Sequence, residues 1–157
     1  MILEATPNDG SFLDVGCATG HLMESIEQWA AQREISIAAY GLEIDPDLAA
    51  EARRRLPVFA DRIFIGNVSE WSPPRRFTYV RTGLEYVPAG EGAWLLRRLL
   101  AEFIEPGGRV IVGPLNEETV DSVRQAFRDA APSETVIVSR PDRNGKTRYI
   151  VWSMSGR

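Results

Sequence analysis

Short apolar runs alternate with longer segments of helical periodicity along most of the chain, and this alternation restricts the possible folds more than any other feature. Runs with the length of strands occupy residues 11–15, 35–44, 62–65, 77–80 and 109–112. Apolar side chains recur at helical spacing over residues 20–33, after Asp45, and over residues 91–104 and 116–130. Strands and helices that alternate in this way form a mostly parallel sheet with helices on both faces. The sequence therefore predicts a doubly wound α/β fold.

Two connections depart from this alternation. Residues 66–76 contain Pro73 and Pro74 and are too few for a full helix between the third and fourth strands. Residues 135–139 and 148–154 alternate as strands and are joined through Asn144 and Gly145, a strong signal for an antiparallel hairpin. No repeat or linker divides the chain, so we expect a single domain over residues 1–157.

Composition excludes several classes of function. Cys17 and His21 are the only cysteine and histidine, so an intrachain disulfide and a Cys-based zinc site are excluded and we expect no metal. The formal net charge of −4 gives no support to nucleic-acid binding, which usually needs an excess of positive charge. We find no secretory signal and no apolar run near the roughly 20 residues of a membrane helix. We therefore expect a cytoplasmic protein with no membrane partner.

A glycine turn follows the first strand, where ligands bind in open parallel sheets. Its pattern, Gly16-x-Ala18-x-Gly20, is one residue tighter than a dinucleotide fingerprint, and no phosphate-binding Gly-Lys-Ser/Thr is present. Glu43 ends the second strand, where a carboxylate can accept both hydroxyls of a ribose. Taken alone, Glu43 is equally well explained as a solvated charge at a strand end, so its importance depends on the glycine turn beside it.

Five segments in order resemble the class I S-adenosylmethionine-dependent methyltransferases. Residues 14–20 resemble the glycine motif of that family and residues 41–45 resemble its ribose-binding motif. Residues 66–68 resemble the adenine segment, residues 84–88 the Leu-Glu-His-Val stretch after strand four, and residues 106–112 the entry into strand five. The resemblance implies a Rossmann-like, seven-stranded sheet in the order 3-2-1-4-5-7-6, with a C-terminal antiparallel hairpin. It implies methyl transfer from S-adenosyl-L-methionine, with S-adenosyl-L-homocysteine as product, in a minimal version without the N-terminal helical cap.

The resemblance also assigns cofactor contacts to individual residues. Asp14, Gly16, Ala18 and Gly20, with Cys17 in the same turn, are expected around the methionine and ribose. Glu43 and its neighbour Ile44 are expected at the ribose, Asn67 and Val68 at the adenine, and Arg81 and Thr82 at the methionine end.

Several residues depart from the family pattern. Ala18 replaces a glycine, Asn67 and Thr78 stand where aspartates are more usual, and Tyr86 replaces a frequent histidine. Methyl transfer from a sulfonium depends mainly on alignment of the reacting atoms, and a base is needed only for a protonated acceptor. Glu85, Tyr86 and His21 are candidates for that base, but each has an ordinary structural explanation. The catalytic residue is therefore left unassigned.

The sequence leaves three functions open. The leading prediction is a methyltransferase acting on a small or medium-sized acceptor. The second is a non-catalytic, cofactor-binding subunit whose open site is covered by a partner protein or by a second copy in a homodimer. An NAD-dependent dehydrogenase is a weaker third possibility, because the spacing of the glycine turn does not fit it.

Overall fold

The computed structural model describes residues 1–132 and 134–155. Seven strands form one sheet in the order 3-2-1-4-5-7-6. The strands are β1 (Gly10–Val15), β2 (Ile37–Glu43), β3 (Ile63–Ile65), β4 (Phe77–Thr82), β5 (Ile104–Leu115), β6 (Thr135–Pro141) and β7 (Thr147–Met154). The first five strands pair in parallel, whereas β7 pairs antiparallel with both β5 and β6. The predicted fold class, strand order and terminal hairpin are thus confirmed.

Helices cover both faces of the sheet. They are α1 (Ile2–Ala5), α2 (His21–Ala31), α3 (Pro46–Arg55), α4 (Gly92–Arg98) and α5 (Glu117–Ala130). A 3-10 turn, Pro57–Arg62, follows α3, and a π-helical turn, Leu99–Phe103, continues α4. One buried apolar cluster lies between the sheet and α4 and α5, and a second between the sheet and α1, α2 and α3.

A side-chain cap determines where α3, the helix after β2, begins. The Asp45 carboxylate accepts hydrogen bonds from the N–H groups of Asp47 and Leu48, at 2.8 and 3.5 Å, and Pro46 occupies the first helical position. An N-cap carboxylate satisfies donors that have no partner inside the helix, and proline is preorganised for this position. The helix therefore begins immediately after β2, and Glu43 at the end of β2 stays free of the capping role.

The boundaries around β5 differ from those predicted. We expected one helix over residues 91–104 and a strand over residues 109–112, with Pro106-Gly107-Gly108 between them. The α-helix instead ends at Arg98, and β5 already begins at Ile104. The register shifts between the β4 positions Phe77 and Tyr79, so the glycines lie within an irregular part of β5 rather than before it.

The connection between β3 and β4 contains no helix, as its length and prolines predicted. Its Trp71 packs against Phe64 and Phe103, with ring centroids 5.2 and 5.8 Å apart. The aromatic side chains therefore cover part of the sheet face that a helix would otherwise cover. The short helix α1 was not predicted. The single-domain assignment stays a prediction.

Over residues 1–132 and 134–155, no helix combines the length and the apolar character that crossing a membrane requires.

Candidate functional site

A cavity of about 340 Å³ lies at the carboxyl ends of β1, β2 and β3. Its volume is at the lower end of the roughly 300–1,000 Å³ typical of small-molecule sites. Ten residues line it: Val15, Gly16, Ala18, Leu42, Glu43, Ile44, Gly66, Asn67, Val68 and Tyr86. Six of them, at positions 16, 18, 43, 44, 67 and 68, are among the eleven predicted cofactor residues. Three separate predicted segments are therefore brought together around one cavity.

The turn between β1 and α2 needs its first glycine for two reasons. Gly16 has a φ of +73°, a conformation that side-chain-bearing residues rarely adopt. A Cβ atom at this position would lie only 2.2 Å from the phenol oxygen of Tyr86. Ala18 also has a positive φ, +46°, so the alanine that replaces a family glycine is held in a left-handed conformation. The turn thus exposes backbone, with little side-chain bulk, to the cavity.

Glu43 is buried and its carboxylate is held by backbone on two sides. Oε2 accepts the N–H of Ala18 at 2.7 Å, and Oε1 accepts the N–H of Asp45 at 3.0 Å. An ionised carboxylate has about four acceptor sites, so each oxygen keeps one for another donor. Glu43 also lines the cavity. Its orientation is therefore compatible with donation from two ligand hydroxyls, and the same carboxylate fixes the glycine turn.

Beyond Glu43, the cavity is bordered by apolar side chains and an amide. Ile44 is exposed, Val68 is buried, and both line the cavity. Oδ1 of Asn67 accepts the N–H of Ser69 at 3.0 Å, which orients the amide. Such a slot, apolar on its faces with one polar group at its border, is suited to a flat heterocycle.

The other side of the turn carries a buried ion pair. Asp14 in β1 and Arg81 in β4 occupy opposite positions of neighbouring strands, and Arg81 Nη1 donates to Asp14 Oδ1 at 3.1 Å. Burial raises the pKa of Asp14 to about 6, although the Arg81 cation acts in the opposite direction. Nε of Arg81 donates to the Gly113 carbonyl at 2.8 Å, which ties the pair to β5.

Three predicted cofactor residues have side chains or backbone positions that face the protein interior. Cys17 is buried beside Met23 and Gly41, and burial raises the pKa of its thiol to about 12. The hydroxyl of Thr82 is buried and donates to the Gly83 carbonyl at 2.8 Å. Gly20 is the N-cap of α2, and a Cβ at this position would meet Leu56 at 2.8 Å. None of the three lines the cavity among the described residues.

Four residues that line the cavity were not predicted as cofactor contacts, namely Val15, Leu42, Gly66 and Tyr86, and neither was Arg55, which contacts the turn from outside the cavity. Tyr86 was considered only as a possible base, but its phenol lies against Gly16 and the residue lines the cavity. Arg55 in α3 donates to the Thr19 carbonyl at 2.9 Å and to Glu24 of α2 at 2.9 Å, so it holds the turn from behind. The position of Tyr86 just after β4 was an available signal, whereas nothing in the local sequence indicates the role of Arg55.

A larger cavity, of about 890 Å³, lies on the other side of the loop that carries Tyr86. The loop contributes Leu84, Glu85 and Val87 to its lining, and Leu115 at the end of β5 and Asn116 after it also line the cavity. Within residues 1–132 and 134–155, no group of three His, Cys, Asp or Glu side chains is arranged to hold a metal ion.

Comparison with known proteins gives one relative in sequence and several in structure. No protein-family model matches the sequence. Over 117 residues, 73% of this chain and 46% of the relative, the sequence is 31% identical to the dTDP-3-amino-3,4,6-trideoxy-alpha-D-glucopyranose N,N-dimethyltransferase of Streptomyces venezuelae. The chain therefore spans just under half the length of this relative.

Solved structures are similar to almost the whole chain. A protein of Listeria monocytogenes described as a class I S-adenosylmethionine-dependent methyltransferase matches with a TM-score of 0.70 and 13% identity, over 99% of this chain and 57% of that one. The phosphoethanolamine N-methyltransferase 2 of Haemonchus contortus, in complex with phosphomonomethylethanolamine and S-adenosylhomocysteine, matches with a TM-score of 0.64 and 12% identity, over 99% and 51%. At these identities the likeness establishes the fold.

Proposed function

We propose that the chain, which has the fold of the class I S-adenosylmethionine-dependent methyltransferases, transfers a methyl group from S-adenosylmethionine to a small or medium-sized acceptor. The observation that carries the proposal is the position of Glu43. Its buried carboxylate lies between the glycine turn and an apolar slot, at the junction where the ribose of an adenosyl group would bind.

The residues present fit this cofactor along the cavity. The backbone at Gly16 and Ala18 leaves space beside β1 that a side chain would fill. Glu43 has acceptor sites left for the two ribose hydroxyls, and Ile44, Asn67 and Val68 border the slot proposed for adenine. When bound, S-adenosylmethionine supplies an electrophilic methyl group on a sulfonium, a good leaving group. The chain then has to hold the acceptor in line with it and keep water away, which is an orientation effect.

We propose that the acceptor binds in the cavity of about 890 Å³ beside the Tyr86 loop. This cavity is lined by residues just after β4 and at the end of β5, and its volume suits a small or medium-sized molecule. A nitrogen acceptor is our first choice, because the relative from Streptomyces venezuelae is named an N,N-dimethyltransferase. Glu85 in the lining is then a candidate to accept a proton from an ammonium acceptor.

Calorimetry with S-adenosylmethionine and S-adenosylhomocysteine tests the cofactor. We expect both to bind in the micromolar range, as substrates and products of enzymes commonly do. Glu43→Ala is the test variant, and we expect it to bind more weakly than the wild type. Its matched control is Glu51→Ala, which removes an exposed carboxylate paired with Arg54 and should bind like the wild type. Absence of binding by the wild-type protein at millimolar concentration would overturn the proposal.

Transfer itself is tested with S-adenosylmethionine that carries an isotopically labelled methyl group. The protein is incubated with the low-molecular-mass fraction and, separately, with the macromolecular fraction of a cell extract. We expect labelled product in the first fraction, and none when Glu43→Ala replaces the wild type. The non-catalytic subunit that works with a partner is supported by no comparison and stays a prediction, and labelled product would exclude it.

We also propose a cytoplasmic location, on the basis of the lone buried thiol of Cys17. Fractionation of cells that express the full-length protein tests this.

A further inference from the structure

Strand β6 is an open edge of the sheet, at the end opposite the cofactor cavity. Among the strands that the structure describes, β6 pairs only with β7. Its residues from Thr135 to Ser139 contain no charge, glycine or proline, and Ile137 is 37% exposed. Proteins usually interrupt an exposed edge with a charge, a proline or a bulge, because a free edge pairs readily with other strands. This stretch of β6 has no such interruption.

Alternate backbone groups of β6 point away from β7. The N–H of Asp142, just after the strand, donates to the Lys146 carbonyl at 2.8 Å. The carbonyl of Glu134, just before the strand, accepts the Ser153 hydroxyl. Because the pairing with β7 runs without a break, these two contacts show that the even-numbered backbone groups face β7. The odd-numbered residues therefore direct their N–H and C=O groups to the open edge. These residues are Thr135, Ile137 and Ser139.

Two further observations agree with this direction. The Ser139 carbonyl accepts a hydrogen bond from the Arg140 guanidinium at 2.9 Å, on the side where a neighbouring strand would lie. Pro141, which has no N–H, ends the strand at the next odd-numbered position, and proline is tolerated where the N–H would face away from the sheet. The open edge thus presents three residues with unpaired strand geometry and stops at a proline.

The backbone of this edge can pair with itself in one antiparallel register. In that register, Ile137 lies opposite Ile137 of a second copy, on a two-fold axis. Thr135 of each copy then lies opposite Ser139 of the other. All three residues whose backbone groups face the edge are paired, which is the pattern of an antiparallel ladder.

The same register also matches the side chains. Val136 of each copy lies opposite Val138 of the other, and Glu134 lies opposite Arg140 on both sides of the axis. Directly opposed β-branched residues and opposite charges stabilise antiparallel pairs. Glu134 is exposed. Arg140 donates to Glu4 of its own chain at 3.2 Å, but 60% of its side chain is exposed, so it can reach a second anion.

Neighbouring registers match less well. A shift that centres the pair on Val138 places Glu134 opposite Asp142, which opposes two like charges. It also places Thr135 opposite Pro141, which cannot donate to the ladder. The shift in the opposite direction loses both pairs of opposite charges. The charges of the strand therefore favour the register centred on Ile137.

We infer that two copies of the chain associate through β6 in this register and form one continuous sheet. The interface is isologous, because each copy contributes the same strand. It lies at the edge of the sheet remote from β1, β2 and β3, so it leaves the cofactor cavity uncovered. The inference is independent of the proposed function.

The first experiment measures the mass of the full chain by analytical ultracentrifugation over a range of concentrations. We expect a dimer, with twice the 17.5 kDa of one chain, and a dissociation constant in the micromolar range, as small interfaces commonly give. Monomer alone at concentrations up to about 1 mM would overturn the inference. Assemblies larger than a dimer would also overturn it, because two-fold pairing closes and leaves no β6 edge free.

The second experiment places a charge on the two-fold axis. Ile137→Lys opposes two like charges, and we expect it to raise the dissociation constant about 100-fold or more. Val58→Lys is the matched control, because Val58 is an apolar residue that is 80% exposed in the 3-10 turn after α3. The control should dimerise like the wild type. A dimer that is unaffected by Ile137→Lys would place the contact elsewhere and contradict the inference.

The third experiment tests the register by exchange of charges. Glu134→Arg should raise the dissociation constant about tenfold, because it opposes two arginines on each side of the axis. The double variant Glu134→Arg with Arg140→Glu restores opposite charges and should recover most of the affinity. A folded double variant that dimerises no better than Glu134→Arg would contradict the register.

Hydrogen exchange locates the interface without any substitution and decides the question if a variant does not fold. In NMR spectra of the wild type, the amides of Thr135, Ile137 and Ser139 should exchange more slowly as the concentration rises. The amides of Val136 and Val138, which face β7, should not change. Exchange rates at the three odd-numbered positions that do not depend on concentration would overturn the inference.

Discussion

The two acidic residues of the site, Glu43 and Asp14, are both buried near the ends of neighbouring parallel strands, yet they are held in different ways. Glu43 accepts hydrogen bonds from two backbone N–H groups, those of Ala18 and Asp45. Asp14 accepts its hydrogen bond from the side chain of Arg81. These two N–H groups belong to the backbone of the glycine turn and of the start of α3, so they are present whichever side chains those positions carry. The partner of Asp14 depends on one arginine from a distant part of the chain.

This difference indicates how each half of the site responds to substitution and to pH. At Glu43, the anion is stabilised by dipoles that are part of the local fold. At Asp14, the ion pair balances a desolvation cost, so loss of either partner leaves a buried charge. We therefore expect binding of the adenosyl end to depend on Glu43 itself, and binding of the amino-acid end to depend on pH and on Arg81.

The largest expected effect is that of Glu43→Ala. It removes the proposed acceptor of the ribose hydroxyls and the anchor of the Ala18 N–H. Two lost hydrogen bonds to a charged group lead us to expect a loss of about 100-fold in affinity for S-adenosylhomocysteine, measured by calorimetry. The free energy of unfolding should fall by about 1–3 kcal/mol in urea titrations. Unchanged affinity would mean that Glu43 is only a structural anchor, and the comparison with Asp14 would no longer hold.

Gly16→Ala should have the next largest effect, and Gly145→Ala offers a matched control. Both glycines have nearly the same φ, +73° and +75°, but nothing lies within 4 Å of a Cβ at position 145. Both variants should lose about 1–2 kcal/mol of stability from backbone strain. Gly16→Ala should lose more, because the new methyl group meets the Tyr86 phenol, and its affinity for S-adenosylhomocysteine should fall about tenfold or more. Equal stability and affinity of the two variants would show that the contact with Tyr86 has no effect.

The pH dependence of ligand binding tests whether the Asp14 carboxylate contacts the ligand. Burial raises the pKa of Asp14 to about 6, with Arg81 lowering it and Glu43 raising it. If the ionised carboxylate binds the ligand ammonium, affinity for S-adenosylhomocysteine should rise about tenfold between about pH 5 and pH 7 and then level off. The rise in affinity should be absent in Asp14→Asn. It should also be absent with 5′-methylthioadenosine, which lacks the amino-acid end and therefore the ammonium group. Calorimetry at a series of pH values measures this dependence. A step of the same size with 5′-methylthioadenosine would exclude Asp14 as its source.

The raised pKa of Asp14 also makes the free energy of unfolding depend on pH. The folded state favours protonated Asp14, so its contribution is fully present below about pH 4 and is lost as pH rises through about 6. In urea titrations, the free energy of unfolding of wild type relative to Asp14→Asn should therefore fall over this interval. A difference that stays constant from about pH 4 to pH 7 would contradict the burial of an ionising carboxyl group.

Asn67→Asp should have the smallest effect. The substitution restores the residue that is more usual in the family and keeps the oxygen that accepts the Ser69 N–H. We expect affinity for S-adenosylhomocysteine to change by less than about threefold, because an acceptor toward adenine is present in both cases. A larger loss would indicate that the amide donates a hydrogen bond to the ligand, since only the amide has that capacity.

The sequence by itself determined the order of strands and helices along the chain, the start of α3 at Asp45 and the glycine turn after β1, whereas the adenine segment at residues 66–68 came only from the resemblance to a known family. These features are local, because apolar period, capping and glycine content act within a few residues. It did not determine the early start of β5 at Ile104 or the π-helical turn before it, since pairing with β4 and packing decide where a strand begins.

Only the tertiary structure decided which predicted residues face the cavity and which partners they have. Cys17 and Thr82 belong to the expected segments but turn toward the interior, whereas Tyr86 reaches the turn from another loop. Arg81 and Asp14 are far apart in the sequence and meet because β1 and β4 are neighbours in register. Side-chain direction and pairing across strands depend on the packing of the whole sheet, and no local pattern encodes them.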